Sequence, residues 1–202
     1  MKILNGILWT LATLFVLGLF LGVLVPPSRR AELVRLHALA LEGRNLFTLM
    51  AANDTERAAG GTSVNLASCT NSIELVRKLV LRQGANFSID EKAYSRWTFV
   101  MNMPEPVDDA IPVMFTANFD VRYFPREWDG SSRAAESLAD AISACESGPF
   151  GDKGCIFVRR GGASQIVKRK YCRRDVIFNR ESFKLGADTY FLTPTGRVGF
   201  AP

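Results

Sequence analysis

The sequence is poor in the side chains that carry most enzyme chemistry. It has one histidine, His37. Without a second imidazole there is no multi-histidine metal site, and a Ser-His-Asp triad has only this residue to draw on. A lone histidine on a helix-patterned stretch is most often a plain surface or core residue. The four cysteines, Cys69, Cys145, Cys155 and Cys172, include no Cys-x-x-Cys pair, which argues against a zinc cluster. None has a base nearby in sequence to make it a nucleophile. Gly151-Asp152-Lys153-Gly154 lacks the full spacing of a phosphate-binding loop. Asp108, Asp109 and Asp129 offer oxygens to a hard cation but lack the spacing of an EF-hand. Low-complexity tracts and repeats of solenoid period are missing. The reading is a non-enzyme with no cofactor and no metal.

The chain is not poor in apolar or basic residues. Its formal net charge is +5. Much of the excess sits in Arg159-Arg160, in Lys168-Arg169-Lys170 and in Arg173-Arg174. No nucleic-acid fold signature accompanies these residues, so they read as the solvated face of a hairpin turning at Gly161-Gly162, with no nucleic acid as partner.

Ile3 to Val25 is an apolar run without charge, its polar residues being Asn5, Thr10 and Thr13. At ~1.5 Å per residue it makes a helix of ~35 Å, enough for a bilayer core of ~30 Å. A cleaved secretory signal has a shorter apolar core and a small-x-small exit, and Val25-Pro26-Pro27-Ser28-Arg29 has no such exit. An uncleaved signal anchor gets little orientation from charge, with Lys2 on one side and Arg29, Arg30 and Arg35 on the other. A pilin-type signal has a short basic leader ending in glycine, with the apolar helix kept on the mature protein. Residues 1–6 followed by Ile7 fit this shape, with Gly6 and Ile7 as the processing residues.

Four segments follow: a leader at 1–6, a membrane helix at 7–27, an amphipathic continuation at 28–53, and a globular head at 54–202. In the continuation Leu36, Leu39, Leu46 and Met50 recur at helical spacing and form a face to bury, which is expected to pack on the head's sheet. Asn53-Asp54-Thr55 and Gly60-Gly61 end it. Thr70 to Arg82 reads as a second helix, with Ser68 or Thr70 as cap and Glu74 near its start. Trp97 to Met101 and Pro112 to Thr116 read as strands, Arg133 to Cys145 as a helix, Cys155 to Arg160 and Gln165 to Tyr171 as a hairpin, and Tyr190 to Thr193 as a last strand. Phe119 to Trp128 reads either as a recognition loop or as core at a sheet edge.

All four cysteines lie beyond the apolar run, and an even count in an exported domain reads as two disulfides. Cys145 and Cys155 flank a turn-rich loop and are taken as one bridge, with Cys69 and Cys172 as the other. Four cysteines allow three connectivities.

The chain resembles the type IV pilin-like pseudopilins, within them a divergent group of type II secretion system proteins. The resemblance rests on the leader ending at Gly6, the apolar helix from Ile7 to Val25 and the continuation to Met50. Further matches are the strand from Trp97, the segment Asp109 to Asn118 with its Pro-hydrophobic-Phe-Thr-x-Asn pattern, and Phe150 to Val158 with Gly161-Gly162. Ile7 stands where the family usually has Phe, and Leu11 where it usually has Glu at the fifth mature position. The resemblance implies an α+β fold: a long N-terminal helix, half membrane-spanning and half amphipathic, packed on a small antiparallel sheet. It implies a structural subunit of a pilus-like protein secretion apparatus, assembling through the apolar helix. Its partners would be the lipid bilayer, other pilin-like subunits and secretion components. It would sit in the inner membrane by a single pass, with the head in the periplasm. The competing reading is a membrane-anchored extracytoplasmic binding domain that does not polymerise.

Overall fold

The computed structural model describes residues 27–82, 94–104, 108–130, 136–143, 153–178 and 182–200. Two units divide within a helix, Met1–His37 and Ala38–Pro202. That helix, α1, spans Pro27–Ala58. Proline suits its first position, because the missing amide is one the first turn leaves unpaired anyway. The leader at 1–6, Gly6, Ile7 and the apolar run to 26 lie outside the described residues. Among the described residues no helix is long and apolar enough to cross a membrane. The described helices therefore give no support to the expected membrane-spanning half of the long helix or to the single-pass inner-membrane placement. The described α1 carries charge along its length, from Glu32 and Arg35 through Glu42 and Arg44 to Asp54, Glu56 and Arg57. A bilayer core does not accept that pattern.

In the first unit Leu36 is buried, whereas Leu33 and Val34 are exposed. In the second unit Leu39, Ala40 and Leu46 are buried. Between them Gly43 comes so close to the sheet that an added Cβ would stand 2.6 Å from the Trp97 ring and 2.9 Å from Val158. One residue earlier, Glu42 accepts a 2.7 Å hydrogen bond from the Trp97 indole N–H and lies 3.4 Å from Arg96. α1 runs past the expected stop at Asn53 because Asn53 turns inward. Its amide side chain bonds both the N–H and the carbonyl of Val64, at 2.7 and 3.0 Å. Gly60, at φ +71°, ends the helix, with Gly61 N–H on the Glu56 carbonyl and Gly60 N–H on that of Arg57. This glycine-closed geometry needs a residue without a Cβ penalty in the left-handed region.

The second helix, α2, spans Ser72–Arg82. Its cap is Asn71, whose side chain accepts from Glu74 N–H at 2.8 Å. Glu74 reaches back to the N–H and hydroxyl of Thr70, at 2.8 and 2.9 Å, and pairs with Lys78 at 2.8 Å. These bonds hold its carboxyl down at a pKa of about 2.

Six strands form an antiparallel sheet: β1 (Trp97–Met101), β2 (Pro112–Thr116), β4 (Gly154–Arg159), β5 (Ser164–Lys168), β7 (Tyr190–Thr193) and β8 (Gly196–Gly199). Their order is β5-β4-β2-β1-β7-β8. β3 (Glu127–Trp128) and β6 (Phe183–Lys184) pair separately, and a short helix, α3, spans Arg174–Phe178. The α+β class and the antiparallel sheet thus stand without the membrane half. Within the second unit α1 lies against the sheet at Gly43, and α2 contacts β1 and β7. On the opposite sheet face lies an aromatic core in which Phe115 meets Phe119, Phe124, Phe157 and Phe191 at ring separations of 5.4, 5.8, 5.7 and 6.1 Å. The chain over this core is mostly irregular. The helix expected from Arg133 to Cys145 is not formed over its described part. Ser137 bridges to Arg173, Ala139–Ala141 make one 3₁₀ turn, and Ile142 bridges to Phe119. Burying Leu138, Ala141 and Ile142 together outweighs local helix propensity here.

Two outcomes follow. Gly43→Ala should destabilise the protein, although the same change in an open helix stabilises it, because Trp97 and Val158 occupy the space. Leu39→Ala should cost about 2–5 kcal/mol, lowering Tm by roughly 5–15 °C, with exposed Arg35→Ala nearly silent. Scanning calorimetry reads all three. In addition, Glu74 stabilises the folded state above the ordinary carboxylate pKa, and this contribution disappears as pH falls through about 2. Glu74→Gln should therefore lower Tm at neutral pH, with the deficit vanishing at the acid extreme.

Candidate interaction surface

Of the residues expected to bury on the sheet, Leu36, Leu39 and Leu46 are buried, and Met50 is half-buried along a cleft. The exposed apolar residues of α1 were not singled out from the sequence. Leu33 and Val34 in the first unit are 52% and 68% exposed, and Leu41 in the second is 55% exposed. His37 is exposed. The signal in the sequence was the surplus of apolar residues in α1 over what a single buried face needs.

Among the described residues of the second unit, several clefts open. One of about 520 Å³ runs beside the end of α1, lined by Phe47, Met50, Met101 and Met103, with Asp54, Arg57 and Arg160 at its rim. Burial raises the Asp54 carboxyl above its usual range, against the opposing pull of Arg57. Methionines give such a groove an adaptable apolar wall. A second, of about 550 Å³, lies by Trp128 between Asp129, Arg174 and Ser182. A third, of about 490 Å³, is lined by Lys153, Lys168, Arg169 and Lys170. Among the described residues no group of three or more His, Cys, Asp or Glu side chains is placed to hold a metal.

The basic stretches divide in the structure. Lys168 and Lys170 face solvent. Arg159 does not: its guanidinium donates to the Ala110 carbonyl, the Gln165 side chain and the Val176 carbonyl, and burial lowers its pKa. Phe119, Phe124 and Trp128 anchor the Phe119 to Trp128 stretch in the core, while Arg122, Arg126 and Glu127 are exposed. The exposed Arg122 is tied to Asp120 by a 2.6 Å ion pair.

The Phe-Thr-x-Asn segment proves to be a staple. Thr116 Oγ1 accepts from Ile156 N–H at 3.0 Å, and the buried Asn118 side chain donates to the Gly154 carbonyl at 2.6 Å. Together they carry the β2–β4 pairing past the end of its backbone ladder.

The cysteine expectations meet a different arrangement. Cys145 lies outside the described residues. Cys155 is a free buried thiol, not bridged to Cys145, and Cys69 and Cys172 are free and buried as well. Cys155 is hydrogen-bonded to Cys172. Cys69 sits elsewhere, its thiol beside Lys78 and its carbonyl accepting from Arg197 at 2.8 and 3.1 Å. No protein family, curated protein or solved structure matches the chain.

The raised Asp54 pKa means that its charge opposes folding at neutral pH. Asp54→Asn should raise Tm at pH 7. The gain should shrink as pH falls through the carboxylate range, where the native side chain is neutral too. A Tm series against pH reads both.

Proposed function

We propose that the chain is a non-enzymatic structural subunit that assembles with copies of itself or with related subunits through α1, as the pseudopilins of protein secretion systems do. The observation that carries this reading is α1 itself. In the second unit Gly43 lies against Trp97 and Val158 of the sheet and Leu39 and Leu46 are buried, yet Leu41 stands in solvent at 55% exposure, as Leu33 and Val34 of the first unit do at 52% and 68%. Fully burying one such side chain is worth about 1.5–3 kcal/mol, so covering them on a neighbouring helix is a real driving force. The reading uses the described helix alone and assumes no membrane span. A second reading, a binding domain that does not polymerise, is favoured by the methionine-lined cleft beside Met50.

Sedimentation velocity on the full chain over a range of concentrations is the test. The wild type should form concentration-dependent assemblies. Leu41→Glu and Val34→Glu should each weaken them at least tenfold while leaving Tm within a few degrees, since exposed positions contribute little to folding. A wild type that stays monomeric throughout, or variants that assemble unchanged, would sink the subunit reading and leave the binding domain.

A further inference from the structure

We infer that Cys155 and Cys172 form a redox-active dithiol that closes to a disulfide across the base of the β4–β5 hairpin. The two side chains are 0% and 1% exposed and belong to one aromatic and aliphatic core. The hairpin and the turn that follows it bring them together. Gly154 pairs with Lys168 and Cys155 with Val167. Beyond the last pair, Arg169 N–H reaches the Lys153 carbonyl at 2.6 Å. The chain then turns back through the 3₁₀ turn Arg169–Tyr171, and Cys172 N–H closes that turn on the Arg169 carbonyl at 3.1 Å. The Cys172 carbonyl is held in turn by Leu138 N–H at 2.7 Å. Both backbones are therefore fixed, and the thiols meet in a hydrogen bond. Cys69 has no part in this: Lys78 and Arg197 hold it on another part of the fold.

The two thiols are not equivalent. Burial pushes Cys155 up, whereas the hydrogen bond from Cys155 lowers Cys172. Cys172 also sits between exposed Tyr171 and Arg173, so opening the short turn brings it to solvent first. The thiolate is the attacking species in disulfide exchange. With a small-molecule disulfide as oxidant, Cys172 attacks one sulfur, the oxidant's S–S bond breaks and one small thiol leaves. Cys155, losing its proton, then attacks the Cys172 sulfur of the mixed disulfide and expels the second small thiol. The protein loses two protons and two electrons, and the oxidant is reduced to two thiols. The pairing is independent of whether α1 assembles.

The experiment is equilibration of the full chain with excess oxidised glutathione, followed by alkylation of remaining thiols, denaturation and non-reducing peptide mapping. The wild type should show a cross-link joining the peptides of Cys155 and Cys172, with a mass lower by two hydrogens for that bridge and Cys69 left alkylatable. Cys155→Ser should accumulate glutathione on Cys172, because the resolving thiol is gone. Cys172→Ser should leave Cys155 largely unmodified. A cross-link from Cys155 to Cys145, one from Cys172 to Cys69, or two free thiols after full equilibration would overturn the assignment. The wild-type map decides on its own if either variant fails to fold.

Discussion

A sheet that is apolar on both faces has to be covered twice, and most of this fold is an answer to that constraint. β1 and the described core of β4 are buried residue after residue instead of on alternate positions. Trp97 and Val158 point toward Gly43 of α1. Phe115, Phe157 and Phe191 point the other way, into a cluster that reaches Phe124 and Phe178. Helices solve the first face cheaply, since α1 brings a row of small and aliphatic residues. The second face is roofed by turns and two-residue strands, whose own polar groups need partners. Hence the dense local bonding there, such as Asp120 N–H on the Ala141 carbonyl at 2.7 Å and Leu185 N–H on that of Arg126 at 2.9 Å.

How much of this was legible follows from where the information sits. β1, β2, the β4–β5 hairpin and β7 were readable because aromatic and β-branched residues crowd there, with glycines at the hairpin turn. The buried side of α1 was readable from spacing. The paired strands β3 and β6 were not, because two residues carry no periodicity. β8, Gly-Arg-Val-Gly, reads as a loop and becomes a strand only because β7 lies beside it. The stretch from Arg133 has helical composition, yet its described part spreads Leu138 and Ile142 through the core of a non-helical crossing. The neighbourhood of Cys172 was not legible either, because it depends on the turn that follows the β4–β5 hairpin, in which Cys155 pairs with Val167. The membrane span was read from an apolar run, and the described helices are too charged to continue it.

The pseudopilin-like reading therefore stands on less than the whole chain. What supports it is a helix that buries Leu39 and Leu46 while leaving Leu33, Val34 and Leu41 in solvent. The clefts are the competing feature. That by Met50 is apolar at its floor and charged at its rim, the usual composition of a small binding groove. The Trp128 cleft is lined by the small β3–β6 ribbon.

The two outer strands of the sheet bear on how copies of the molecule can meet. An open strand edge is an invitation to add another chain's strand, and proteins blunt such edges with charge and brevity. β8 is short, with glycine at both ends, and its Arg197 guanidinium is spent on the carbonyls of Ala67 and Cys69, with its carbon 5.1 Å from the centre of the Tyr190 ring. β5 ends in Lys168 and runs straight into the turn at Arg169. Edge-to-edge growth, the route to cross-β fibres, is thus discouraged at both margins.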